Sequence, residues 1–280
     1  VAVTLPFRHL EPFGVEIDFD LSQPLGPSLA YHFRELWREH GLVLVRGQRL
    51  TMERQRELCA LLGPILVREG EGETMTNAGG GPSASPLAWH SDAAYTDHPF
   101  DAIALHALDV VDDASSTRFV RAEVALPANL REALEGREQE MISPHYTQLA
   151  GRTCDQREPD AMKRGVRPTV LENPHNGREC LWVSELQTAR VLDMAWEESR
   201  DLLHAVFDRL YAPERVFEHK WRTGDVIFWD NIALQHARGN LESVGTRVLQ
   251  RVIVGVEGVA PHVASQVEPS SQRRLGSVST

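Results

Sequence analysis

Between Gly224 and His236 the chain reads Gly-Asp-Val-Ile-Phe-Trp-Asp-Asn-Ile-Ala-Leu-Gln-His, a turn running into a strongly apolar strand with a histidine near its end. Such a run must be buried, and it delivers one imidazole to a fixed place in the core. Far upstream, Trp89-His90-Ser91-Asp92 sets an imidazole and a carboxylate two residues apart. In an extended segment that spacing points both toward the same face. Two histidines and one carboxylate on a triangular face of iron(II) leave three coordination positions open. His90, Asp92 and His236 are thus the candidate metal ligands and catalytic residues. Taken alone, His-x-Asp is a weak signal, because a chain with 12 histidines meets it by chance.

The rest of the chain supplies a scaffold of short strands with a few helices. Alternating apolar positions around Gly14–Phe19 read as a short strand. Leu29, Phe33, Leu36 and Trp37 form one stripe of an amphipathic helix over 28–40, with Gly41 placed to end it. Leu42-Val43-Leu44-Val45 reads as a strand buried on both faces, and Gln48 to Thr51 turns into a second helix ending near Gly63-Pro64. Strands are expected at 102–108, 117–120, 170–171, 181–183, 216–221, 226–229 and 247–254. Helices are expected through Leu130 and Leu134 and over 195–211, where Glu197 and Glu198 suit the start of the helix. The Asn176-Gly177 pair favours a tight hairpin. Residues 69–87, rich in Gly, Pro and Ser, read as a lid loop ahead of the candidate ligands or as a plain surface excursion. Residues 144–165 lack a clear period and read as a flexible insertion, and 261–280 as a frayed tail. Short strands around an inward-facing site, with helices outside, fit a single mainly β domain over 1–280, a double-stranded β-helix or jelly roll, better than a parallel α/β sheet.

Charge and composition narrow the function classes. A formal net charge of -11 argues against a nucleic-acid partner, which would call for a concentrated basic surface. No apolar run approaches a membrane span, and Val1–Leu10 lacks the pattern of a secretory signal, Val1 itself reading as a start from which Met has been removed. Cys59, Cys154 and Cys180 are odd in number and show no CxxC spacing, so they read as ordinary thiols of a reducing compartment. The expectation is a soluble cytoplasmic protein that handles a small-molecule substrate.

Arg247-Val248-Leu249-Gln250-Arg251-Val252-Ile253 places Arg247 and Arg251 on one face with Leu249 and Ile253. A buried unpaired cation costs several kcal/mol, roughly, so inward arginines need internal carboxylates or an anionic ligand. An exposed strand face with ordinary surface arginines is the plainer alternative.

Across most of its length the sequence resembles the taurine dioxygenase (TauD/TfdA-like) family of iron(II)/2-oxoglutarate dioxygenases. Trp89-His90-Ser91-Asp92 is similar to the family's Trp-His-x-Asp segment, and Trp229-Asp230-Asn231 followed by His236 is similar to its Trp-Asp-Asn-x(4)-His segment. Arg247 and Arg251 follow His236 at the family's spacings of eleven and fifteen positions. Asn173-Pro174-His175-Asn176-Gly177-Arg178 resembles its His-Pro-x-Thr-Gly-Arg turn, and 41–48 its early strand. The resemblance implies that His90, Asp92 and His236 bind Fe(II), that Arg247 pairs with the distal carboxylate of 2-oxoglutarate, and that Thr117 supports that cosubstrate. It puts Arg251 near the other carboxylate or the substrate. Ala114-Ser115-Ser116-Thr117 departs from the usual Gly-Gly-Asp-Thr, keeping only the Thr. The implied reaction consumes O2 and 2-oxoglutarate, releases succinate and CO2, and most commonly hydroxylates an aliphatic carbon. Asp92 points to oxygenation, since related halogenases replace that carboxylate by a small residue.

By position Asn77, Ala93, Tyr95, Trp182 and Arg251 are candidates for the substrate pocket, each equally readable as core or loop. The substrate is expected to be a small organic molecule, with an acidic group that Arg251 could receive. Desaturation, cyclisation or ether cleavage would use the same residues. A non-catalytic metal-binding jelly roll that senses a small acid would explain the three ligands but not the spaced arginines. Family members of this acidity and size often associate, which leaves a homo-oligomer open.

Overall fold

The computed structural model describes residues 4–68, 73–78, 84–145 and 149–260. The tail at 261–280, and 69–72 and 79–83 of the stretch read as a lid loop, lie outside the described residues.

Two sheets face one another. The larger has eight strands: β1 (Phe7–His9), β2 (Val15–Ile17), β3 (Leu42–Val45), β4 (Ile65–Leu66), β5 (Thr74–Thr76), β7 (Ala102–Val110), β15 (Val226–Asp230) and β17 (Arg247–Val254). Its order is β1-β2-β3-β15-β7-β17-β4, with β5 also on β17. The smaller runs β14 (Phe217–Lys220), β8 (Ser116–Arg121), β16 (Leu234–Arg238), β6 (Leu87–His90). Pairing is antiparallel except between β2 and β3. This is the jelly-roll arrangement of two facing sheets.

The alternation of side chains explains why the central strands read as continuous apolar runs. On β3 and β15, Leu42, Leu44, Ile227 and Trp229 point into the core between the sheets, with Ile103 and Leu105 of β7 and Leu249 and Ile253 of β17. Val43, Val45, Val226 and Phe228 point the other way, onto α1 (Pro27–His40) and α2 (Met52–Cys59). The larger sheet therefore divides two apolar clusters, and its central strands β3 and β15 are buried on both faces. α1 starts with Pro27 in its first turn and stops at Gly41, whose φ of 72° is the left-handed geometry that glycine adopts at least cost. α2 is shorter than the sequence suggests, because residues 60–63 turn before β4.

A third layer covers the smaller sheet's flank. α4 (Trp196–Leu210), preceded by α3 (Ala128–Leu134), packs Leu203, Val206 and Phe207 on Leu134, Cys154, Leu181 and Val191. Beside it lies a three-stranded sheet, β10-β9-β13, made of β9 (Glu138–Pro144), β10 (Ala161–Pro168) and β13 (Thr188–Val191). Part of the 144–165 stretch is thus ordered pairing: β10 lies antiparallel to β9 with a register shift between Ala161 and Lys163, which blurs the two-residue period in the sequence. The expected hairpin is present as β11 (Val170–Glu172) and β12 (Glu179–Leu181). Its turn is wider than a two-residue loop, since Asn173 N–H bonds the Arg178 carbonyl and the Gly177 N–H returns to the Asn173 carbonyl. The three cysteines are free and buried. No helix among the described residues is long and apolar enough to cross a membrane.

Phe228 has no exposed surface and meets Phe33 edge-on, with ring centroids 5.2 Å apart. Phe228→Ala should cost about 3–5 kcal/mol by urea denaturation, from lost burial and the cavity left behind. Metal affinity of the folded fraction should stay unchanged, because this side chain faces the helices.

Candidate active site

The apolar stretch that the sequence presents as one strand is two. β15 ends at Asp230 in the larger sheet, 231–233 turn, and β16 begins at Leu234 in the smaller one. Asp230 makes the turn: its Oδ1 accepts the N–H of Ile232 (2.8 Å) and of Ala233 (3.0 Å). The chain crosses between sheets here, and β16 then pairs with β6 so that His236 stands directly opposite His90.

That register brings the three candidate ligands together. The rings of His90 and His236 are 4.2 Å apart, and Asp92 Oδ1 lies 3.3 Å from His90 Nε2 and 4.0 Å from His236 Nε2. One ligand atom from each residue falls within 4.8 Å of the other two. His90 Nδ1 lies 2.8 Å from the Ala88 carbonyl. That bond requires the proton on Nδ1 and leaves the Nε2 lone pair facing the cluster, the tautomer a metal needs. Burial, then repulsion by His90, pushes the His236 imidazole down to about 3 despite the pull of Asp92, so it stays neutral at physiological pH. Burial alone would raise the Asp92 carboxyl, but the His90 and His236 rings beside it and the Arg251 cation outweigh that and hold the group below the usual carboxylate range. Two imidazoles, that of His236 held neutral, and a carboxylate in this geometry suit a divalent first-row metal.

Asn231 fixes the backbone of Asp92. Its Oδ1 accepts the Asp92 N–H (2.9 Å), and its Nδ2 donates to the carbonyls of Asp92 (2.9 Å) and Phe100 (3.0 Å). Gln187 Nε2 donates to the Ser91 carbonyl at 2.9 Å. Beyond Asp92 the chain turns sharply, with Ala93 at a φ of 58°.

Arg247 is buried at the start of β17, and its Nε has no hydrogen-bond partner among the described residues. Burial, then the neighbouring charge of Arg238, lowers its guanidinium to about 10, so it remains a cation at neutral pH. A buried guanidinium in this state fits an anionic ligand. Thr117 on β8 is also buried, and its Oγ1 accepts the Trp221 indole N–H at 3.0 Å. Arg251 shares the inward face of β17 with Leu249 and Ile253 and is close enough to Asp92 to act on its charge. Arg238 lies two residues beyond His236 on the same face of β16 and donates from Nε to the Ser85 carbonyl. Arg238 and the bonding roles of Asn231 and Asp230 leave no mark in the local sequence pattern, although the last two belong to the Trp-Asp-Asn segment.

The residues first considered for a substrate pocket separate. Asn77 is tied to backbone: Nδ2 donates to the carbonyls of Leu241 (3.0 Å) and Gly245 (2.8 Å), and Oδ1 accepts the Arg247 N–H (3.0 Å). Trp182 is 1% exposed, packs with Ala94, Met141 and Ile232, and donates its indole N–H to the Ala94 carbonyl. Tyr95 is half-buried against that same cluster. Ala93 packs against the core between the sheets.

Residues 6–253 match the profile of the taurine catabolism dioxygenase TauD, TfdA family. The chain belongs to this family. Its members depend on Fe(II), 2-oxoglutarate and O2. Among curated relatives, the alpha-ketoglutarate-dependent 2,4-dichlorophenoxyacetate dioxygenase of Cupriavidus pinatubonensis is 26% identical, over 89% of this chain and 96% of the relative. Pentalenolactone F synthase of Streptomyces arenae is 30% identical over 37% of this chain, a match spanning only 34% of that protein. A crystal structure of a taurine dioxygenase from Burkholderia xenovorans superposes with a TM-score of 0.74 at 23% identity, covering 92% of this chain and 93% of the other. At that identity the superposition speaks to the fold.

Because all three bonds of its amide run to backbone, Asn77→Ala should destabilise by about 1–3 kcal/mol and weaken binding of an anion at Arg247. Denaturation and 2-oxoglutarate titration check this. The ratio of turnover on two competing substrates should stay unchanged.

Proposed function

We propose that this protein is an Fe(II)/2-oxoglutarate-dependent dioxygenase that hydroxylates an aliphatic carbon of a small acidic organic substrate. The observation that carries this reading is the convergence of His90, Asp92 and His236 within 4.8 Å, together with the buried Arg247 cation, which shares with His236 the neighbouring charge of Arg238. His90, Asp92 and His236 would hold the metal through Nε2, a carboxylate oxygen and a ring nitrogen. Arg247 would pair with the distal carboxylate of 2-oxoglutarate, with Thr117 lining the same end.

The bound metal and cosubstrate would supply the oxidising chemistry, in which one oxygen atom of O2 ends in succinate, the other in the hydroxylated product, and CO2 is released. The chain's own residues bind and orient. Arg247 fixes the cosubstrate's remote end and thereby sets where its keto acid lies. The apolar side chains that β3, β7, β15 and β17 turn toward the smaller sheet would keep water from the reacting carbon.

The acidic class of substrate is supported by Arg251 and its surroundings. Beside β17, between β4 and β5, a cavity of about 360 Å³ opens, lined among others by Arg56, Arg68, Glu73 and Arg251. Arg56 pairs with Glu73 there and Arg68 with Glu257, and Arg251 adds a cation close enough to Asp92 to act on its charge, a place that suits an anionic group of the substrate. Relatives named as acting on 2,4-dichlorophenoxyacetate and phenoxypropionate fit such a class, while relatives named as synthases keep other oxidative outcomes within reach of the same residues.

Under anaerobic conditions, iron(II) plus 2-oxoglutarate should give a weak visible charge-transfer band that His90→Ala and His236→Ala abolish. A band of equal strength in either variant would remove that residue from the ligand set. Arg247→Ala should raise the KM for 2-oxoglutarate at least about tenfold, equivalent to ~1.4 kcal/mol, with a much smaller change for the prime substrate. Succinate release across a panel of small carboxylic acids identifies the substrate, and absence of turnover on all anionic compounds but not on neutral ones would refute the acidic class.

A further inference from the structure

Asp230 is fully buried, and its four hydrogen bonds hold together segments distant in sequence. Oδ1 takes the two backbone N–H groups of the 231–233 turn, while Oδ2 accepts from Asn173 Nδ2 at 2.9 Å and meets His175 Nδ1 at 2.8 Å. The other ring nitrogen of His175, Nε2, stands 3.4 Å from Asp101 Oδ1. His175 thus lies between two carboxylates, with the Trp37 ring 4.8 Å from its own. It is 14% exposed at the side chain and Asp230 is fully buried, so that carboxylate acts on it with little screening by water, while Asp101 is partly exposed.

Each carboxylate belongs to a segment that sets the position of Asp92. Asp230 precedes Asn231, whose amide clasps the Asp92 peptide on both sides. Asp101 offers its carbonyl to the Asn231 N–H at 3.0 Å and its own N–H to the Val254 carbonyl at 2.9 Å. A neutral imidazole has a single N–H and could donate to one of these carboxylates only, leaving the other facing a lone pair. We propose that His175 is a cationic positioning residue, an imidazolium that joins Asp230 to Asp101 and so holds Asn231 where it aims Asp92 at His90 and His236. The proposal rests on the reading of Asp92 as a metal ligand. His175 acts through Asp230 and Asn231, without contact to the site itself.

Burial disfavours the charge on His175, but hydrogen bonds to Asp101 and Asp230 and their attraction overcome it and push the imidazole up to about 9. The other ionisable groups of this turn are engaged elsewhere. Arg38 Nε donates to the His175 carbonyl, Arg178 pairs with Glu39 and Glu123, and burial pushes the Cys180 thiol up, keeping it neutral. Since the folded imidazole titrates above the ordinary histidine value of about 6.5, its contribution is complete below that value and is lost as pH rises through about 9.

The test uses the full chain with cobalt(II) as the probe. In ¹⁵N imidazole spectra of the wild type, His175 should carry two protons at pH 7.5 and titrate near 9; a neutral ring at pH 7.5 would overturn the cation. Asp101→Asn should lower that titration by a unit or more and move the alkaline loss of cobalt(II) affinity down with it. An unmoved pH profile would overturn the link to the site. His175→Gln should weaken cobalt(II) about tenfold or more and alter its visible spectrum while leaving the far-ultraviolet dichroism intact. Asn231→Ala should do the same, and the double variant should be no worse than either single one. Wild-type cobalt(II) affinity in a folded His175→Gln protein would sink the proposal, and if that variant does not fold, the Asp101→Asn profile decides. Should His90→Ala bind cobalt(II) as the wild type does, the metal-centre reading itself fails, an outcome separate from the His175 titration.

Discussion

The antiparallel pairing of β16 with β6 is the contact on which this site depends, because it sets His236 opposite His90. Side chains alternate along a strand, so a slip of one residue would turn His236 out of the site and put Gln235 or Ala237 in its place. Several bonds prevent that slip. Gln235 Nε2 donates to the Val183 carbonyl and its Oε1 accepts the Tyr211 hydroxyl, both on the far side of β16 from the imidazole. Leu234 and Ala237 are fully buried on either side of His236. On the other edge, β8 pairs with β16 over Leu234 to Ala237.

Electrostatics complements that register. The site contains one strongly acidic carboxylate, two imidazoles of which His236 is held neutral, and the guanidinium groups of Arg238, Arg247 and Arg251 on neighbouring inward positions. Burial of Arg247 without a partner for Nε among the described residues is unfavourable for the protein alone. Such a group becomes an asset when a dianionic ligand arrives, since its desolvation has already occurred during folding.

Much of this was legible in the sequence because it depends on local spacing. His90 and Asp92 two apart, Arg247 and Arg251 four apart, and the apolar runs of β3, β7, β15 and β17 all express the two-residue period of a strand. Tertiary bonds override local pattern elsewhere, and there the sequence carries no signal. Val226 to His236 has no glycine or proline to mark the crossing between sheets; the break is made by Asp230, whose carboxylate reads in sequence as one more polar residue in a buried strand. β10 is polar and carries a register shift, so its period is hidden, and β4 and β5 are too short to show one. Asn77 and Trp182 read in sequence as side chains a pocket could use, but their polar atoms are taken up by backbone groups. Only distant contacts decide such cases.

The larger sheet separates an apolar layer shared with α1 and α2 from the core that faces the smaller sheet. The two sides share backbone but few side chains, so they can drift independently over evolution. A lineage could repack Phe33, Val43, Val45 and Phe228 for a colder or hotter habitat while the catalytic wall kept its shape, and the opposite wall could be recut for a new compound without weakening the helical side. That partition gives a chain with this topology room to diversify in chemistry and in thermal tolerance at the same time.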